Sequence, residues 1–525
     1  MSMPAAADGS ARPPGPAPPP ASTVVNFAAN SAGSVLTSLI QFAVIPVYIR
    51  LLGAESYGLI GVQTTLQALA QLLDFGVSAS INRELARRTA LNGEPANIRD
   101  LVRTLEVLYA AVGLALGALV WSGAPLAERW LNHQQLSAAT VRHSVQAMAF
   151  LLAAQWPLTF YQGAMLGLQR HRLFNTIRVA ATTLSAAGSI VVLTRISATP
   201  VALFAWQALV AVAQVVALAV WVWFSLPRDR VRSRVRLSSA SGLWRFAAGM
   251  TGVTATALFL SQVDRIVVSR VLPLQAFGYY MLGATLANAL LYTFISPVYA
   301  SVFPRLSSLV AVGDSAGVQG AYRRAWSLMA LLAVPAAAAV SMFAQPLIFA
   351  WTGDESAART AAPIAALLVS GMALYGLVST ANALQLAHGW STLVLSINSV
   401  LCLAALPTVL LLTRRYEAVG AAAIWPLINV GSALVNLPLT ARRLPEEATL
   451  RWLPGDIVVP GAAGAATVWA VRRVVSAPAG LVATLATVGL AWLAAVAVMV
   501  AVSPMLRQYG RRLLLNRAPM NLVTR

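Results

Sequence analysis

Lysine is missing from this chain: all 37 Lys+Arg positions are arginine, and they outweigh 17 acidic residues to give a net charge of +20. A phosphate-binding P-loop ends in Gly-Lys-Ser/Thr, so no such loop exists here. Schiff-base catalysis through a lysine amine is excluded in the same way. Cysteine is almost as rare. The single Cys402 lies in the apolar run LSINSVLCLAALP, which rules out a disulfide framework and a CxxC metal site. The run suits a small apolar packing residue. The four histidines (His133, His143, His171 and His388) are scattered, none with a ligand partner four residues on, so neither a metal site nor a bound cofactor is expected. Charge of either sign is scarce, at 10% of residues against roughly 25% in soluble proteins.

What the sequence has instead is apolar length. The chain is 58% apolar, and runs such as 202–224 and 481–502 each match the roughly 20 residues that cross a bilayer as a helix. An all-α polytopic membrane protein follows, with about fourteen spans near 26–48, 58–80, 104–123, 145–168, 179–196, 200–225, 246–269, 276–300, 326–350, 364–386, 391–412, 419–440, 457–471 and 479–503. The thirteenth is short enough to be re-entrant. Residues 1–22 are Pro/Ala-rich and read as a disordered tail. Arginines cluster in alternate connections: 81–103, the basic linker 226–245 and the C-terminal tail 505–525. Roughly 26 fall on that side and 10 on the other, which predicts cytoplasmic termini. The longest outer loop, APLAERWLNHQQLSAATVRH, has no room for a catalytic domain, so a membrane polymerase or glycosyltransferase is disfavoured and a non-enzyme is expected.

A repeat is visible. RLLGAESYG at 50–58 and RVLPLQAFG at 270–278 both open on arginine and close on an aromatic followed by glycine, at an offset of 220. Six spans lie between them, so two lobes would share one orientation, as in transporters that rock about a central cavity. The implied layout is an N-lobe (23–225), a linker (226–245), a C-lobe (246–441) and two added spans (442–504).

The runs FAVIPVYIRLLGAESYGLIGVQTTLQALAQLLDFGVS, FLSQVDRIVVSRVLPLQAFGYYMLGATL and SVFPRLSSLVAVGD resemble Wzx-type polysaccharide flippases of the multidrug/oligosaccharidyl-lipid/polysaccharide superfamily. WTGD (351–354) and NALQLAHG (382–389) resemble them too. The resemblance implies two helical lobes in a bacterial inner membrane and an undecaprenyl-pyrophosphate-linked oligosaccharide as cargo. It also implies polymerase and chain-length proteins as pathway partners, with no nucleic acid. Lipid II or a cationic drug would be alternative cargoes on the same architecture.

Candidate site residues follow from polarity inside spans. Gln63, Gln67, Gln71 and Asp74 share one helix face, lining a cavity or binding neighbouring helices. Asn30 and Gln41 share a face of the first span. Asp264 and Arg265, in QVDRIVVSR, place charge in an apolar run at a cost of about 3 to 10 kcal/mol. Arg265 suits a pyrophosphate. Asp264 suits a gate or coupling site, pairing across the lobes with Arg50, while Arg270 is the scaffold counterpart of Arg50. Arg83, Arg87 and Arg88 suit a cytoplasmic entrance or a purely topological role.

Overall fold

The computed structural model describes residues 20–74, 77–90, 95–226, 233–236, 241–444, 450–475 and 480–508; side chains at some helix ends, including 20–29, 88–90 and 241–254, fall outside the description. The tails 1–19 and 509–525 and linker arginines Arg228, Arg230 and Arg232 therefore lie outside the described residues, as does the side chain of Arg88.

The described chain is helical. Its helices are α1 (Pro20–Gln71), α2 (Val77–Ala90), α3 (Pro95–Trp130), α4 (Ala138–Gly167), α5 (His171–Val191), α6 (Pro200–Ser225), α7 (Ser241–Val271) and α8 (Leu274–Leu290). They continue with α9 (Ser296–Ala311), α10 (Ser315–Met342), α11 (Ala344–Thr352), α12 (Glu355–Ala387), α13 (Ser391–Arg443), α14 (Val459–Val474) and α15 (Leu481–Val502). Side-chain caps start several of them: Ser137 for α4, Thr199 ahead of Pro200 for α6, and Asp354 for α12.

Among the described residues, nine helices are long and apolar enough to cross a membrane. The expected spans map onto fewer, longer elements because several run together. Spans one and two share α1, bent at Gly53 (φ 82°, ψ 166°), a conformation that residues with a Cβ rarely adopt. Spans eleven and twelve share α13, broken at Tyr416–Glu417. Span eight runs from α8 through a π turn into α9.

Four boundaries are corrected. Residues 20–22 belong to α1, where proline is tolerated in the first turn. The fifth span starts at His171, so Arg178 lies inside it. The ninth ends at Met342, and α11 is a separate helix. A π turn at 454–458 extends α14, giving about 31 Å at ~1.5 Å per residue, long enough to cross. The linker's described part, 233–236, docks on α3: Asp100 accepts the Arg234 N–H at 2.6 Å and pairs with the Arg236 guanidinium at 3.2 Å.

The repeat is repeated atom for atom in the backbone. In the turn after α4, the N–H groups of 168, 169 and 170 donate to the carbonyls of 164, 166 and 165; after α12, those of 388, 389 and 390 donate to 384, 386 and 385. Gln169 (φ 57°) and Gly389 (φ 75°) occupy the same left-handed position, 220 residues apart. The halves meet along α1 and α8, where equivalent residues cross. A Cβ on Gly58 would strike the carbonyl of Leu274, and one on Gly278 would strike that of Ala54. One large apolar cluster runs through this junction, joining Tyr48, Leu59, Phe277, Tyr280 and Leu282.

Candidate functional site

Asp264 is buried (2% exposed) and turned into its own half. Its Oδ2 accepts from Tyr280 Oη of α8 and, at 2.8 Å, from Trp425 Nε1 of α13. Its Oδ1 has no partner among the described residues. The expected pairing with Arg50 does not occur, because Asp264 faces α8 and α13 rather than the other half. Arg265 lies about 100° further round α7. It is half-buried, and its Nη1 meets the neutral amide of Gln262 at 3.2 Å.

Arg50 reaches across the halves to a helix end. Its Nε donates to the carbonyl of Thr352, the last residue of α11, at 3.0 Å. Helix C-termini attract cations. Arg270 does the reciprocal thing, from α7 to the last residue of α3: its Nη1 lies 3.4 Å from the Trp130 carbonyl and its guanidinium 5.5 Å from the Trp130 ring. Beside the Arg50 contact, Trp351 stacks on Phe42 at 3.9 Å and donates to its carbonyl. Beside the Arg270 contact, Leu274 N–H donates to the Asn132 carbonyl at 2.8 Å. The Gly53 end of the bundle is thus closed by two cross-half arginine caps related by the repeat.

The glutamine stripe runs from core to surface. Gln63 is buried and lies 3.4 Å from both Gln67 and Gln155 of α4, while Gln71 and Gln41 are exposed. Asp74 accepts from Tyr109 Oη at 2.5 Å and Ser78 Oγ at 2.7 Å, which ties α1 to α2 and α3. Asn30 bonds to His171 and Asn175 of α5. Arg87 pairs with Glu84 at 2.9 Å on the exposed face of α2, and Arg83 is exposed on the same helix.

Some polar residues escaped the sequence reading. Glu55, buried, accepts three successive N–H groups from Gln134, Gln135 and Leu136 at 2.5–3.0 Å, fixing the α3–α4 loop. On α13 the buried Asn429, Ser432, Asn436 and Thr440 share a face, and Gln385 of α12 donates to Asn436 and Thr440. Their spacing of three, four and four residues was available as a signal, like the glutamine stripe. Arg178 was hidden by the misplaced start of the fifth span.

Known proteins place this architecture. The lipid II flippase MurJ in an inward closed conformation superposes with a TM-score of 0.62 at 11% identity, covering 94% of this chain and all of that one. An inward-facing multidrug resistance MATE family transporter of the MOP superfamily superposes at 0.63 and 12% identity, covering 78% and 94%. At these identities the likeness is one of fold. No protein of curated function matches the sequence. A family profile described as polysaccharide biosynthesis protein matches residues 47–356, more than half of the chain and both copies of the R…G motif. The chain belongs to the polysaccharide biosynthesis protein family, built on the two-lobed all-helical fold of the MOP transporters.

Proposed function

We propose that this protein is a flippase that moves undecaprenyl-pyrophosphate-linked oligosaccharide repeat units across a bacterial inner membrane by alternating access. It would do so without catalysing a reaction, with both termini cytoplasmic and with a polymerase and chain-length proteins downstream. The observation that carries the reading is Arg265. A half-buried guanidinium on α7 is held by a neutral amide, and its acidic neighbour is turned away into the lobe core. A guanidinium left unneutralised offers forked hydrogen bonds to the oxygens of a pyrophosphate. A cationic drug calls for carboxylates instead. Asp264 and Asp74 are both engaged by donors of their own half. The closure at the Gly53 end supports a state open towards the linker side, from which an inner-leaflet lipid would load.

Deletion of the gene is expected to accumulate undecaprenyl-linked sugar on the inner leaflet. Arg265→Ala and Asp264→Asn are expected to lose complementation of polymer export at unchanged protein level. Absence of accumulation in the deletion strain sinks the cargo. Normal export by both variants sinks the site.

A further inference from the structure

Arg178 stands seven residues into α5, about 10 Å at ~1.5 Å per residue. The helix from His171 to Ile196 is long and apolar enough to cross a membrane, and this guanidinium belongs to it. An ionisable group on a membrane-crossing helix is costly unless it faces protein or water, which makes it a candidate for function.

His171, Asn175 and Arg178 share one face of α5, and that face meets α1. Buried Asn175 donates to Asn30 Oδ1 at 2.6 Å, and Asn30 Nδ2 lies 3.0 Å from His171 Nδ1. Gly33 permits this approach, since a Cβ there would overlap the Asn175 side chain. Further along, Arg178 Nη1 reaches Ser34 Oγ at 3.4 Å, the long limit of a hydrogen bond. That neutral contact leaves the charge and most of the five N–H donors uncommitted.

Several other arginines of the bundle are paired with carboxylates. Arg142, Arg236 and Arg323 meet Glu128, Asp100 and Asp456 at 2.7, 3.2 and 2.5 Å. Among the described residues, no ion pair involves Arg178 or Arg265. The two guanidiniums differ in level. Arg178 lies in the first third of α5, on the linker side, and Arg265 in the last third of α7. They are not copies: the 220-residue offset places Asn398 against Arg178 and Ile45 against Arg265.

Resting on the flippase reading above, we propose that Arg178, with His171, Asn30 and Asn175, is a diphosphate-binding station on the linker side of the membrane. It holds the headgroup of the lipid-linked substrate before that headgroup reaches Arg265. The asparagine–histidine cluster fixes α5 against α1 and so aims the guanidinium, whose fork takes two phosphate oxygens at once.

The test titrates full-length protein in detergent with undecaprenyl pyrophosphate and, in a parallel arm, with inorganic pyrophosphate, by calorimetry. Arg178→Gln should weaken the lipid by about ten-fold or more, the loss of a charge-assisted hydrogen bond. Arg178→Lys, which keeps the charge and serves if the glutamine variant does not fold, should weaken it by about three-fold through loss of the fork. Wild-type protein that binds the lipid, with both variants binding equally well, overturns the station and leaves the flippase reading intact. Wild-type protein that binds no undecaprenyl pyrophosphate overturns both. Arg178-dependent binding of inorganic pyrophosphate tighter than the lipid overturns the assignment to a lipid headgroup.

Discussion

Residue 44 in the first half is a buried valine within the apolar core, and its counterpart 264 in the second half is an aspartate gripped by Tyr280 and Trp425. A few residues further along the same two helices, Arg50 and Arg270 are alike in identity and in what they do. The repeat is therefore strict where the halves turn and touch, and loose where charge enters the membrane. Turns and crossings are dictated by backbone geometry, which tolerates little variation. The interior positions are free of that constraint, and on the proposed flippase function they carry what the cargo requires and need not match between halves.

The comparison can be broken, beginning with the largest effect. Asp264→Val makes the second half resemble the first but strips buried Tyr280 and half-buried Trp425 of their acceptor, at about 1–3 kcal/mol for the buried hydroxyl. The thermal midpoint of the purified protein should fall, and adding Tyr280→Phe should restore part of it. An unchanged midpoint would mean that the aspartate is not part of the second half's core. Next comes Gly278→Ala, which presses a methyl group onto the Ala54 carbonyl. Overpacking of about 1–3 kcal/mol should loosen the Gly53 end, read as faster labelling of a cysteine placed there in a Cys402→Ser background.

The two caps then sharpen the symmetry. Arg50→Ala should increase that labelling more than Arg270→Ala, because the Arg50 contact is shorter (3.0 against 3.4 Å). Equal effects would make the caps energetically as well as topologically equivalent. The smallest effect belongs to the matched turns. Gly389→Ala puts a Cβ at φ 75° and should cost about 1 kcal/mol, whereas Gln169→Gly relieves the same strain and should be neutral or stabilising. Both are readable in thermal midpoints.

Much of this was legible in the sequence. The apolar runs marked the helical membrane class, and the two R…G motifs mark the reciprocal crossing at Gly58 and Gly278, because both signals are local. Three things were not legible. The backbone form of the breaks at Gly53 and at Tyr416–Glu417, which fall between spans that the apolar pattern does separate, was hidden because hydrophobicity marks where a chain is buried and not its φ and ψ. The partners of Asp264 lie 16 and 161 residues away, beyond any periodicity. Arg178 was assigned to a loop because HRLFNTIR is polar enough to resemble one, although tertiary contacts with Asn30 and Ser34 carry the helix through it.

The reciprocal caps have a consequence for leakage. Each arginine sits in one half and its carbonyl in the other, so a rigid rotation of the halves that stretches one contact stretches its twin. Closure at that end then behaves as a lock with two keys on a single shaft: a thermal fluctuation must release both together or neither. If the protein works as the proposed flippase, such coupling suppresses half-open states, in which the membrane would be breached without any cargo having moved.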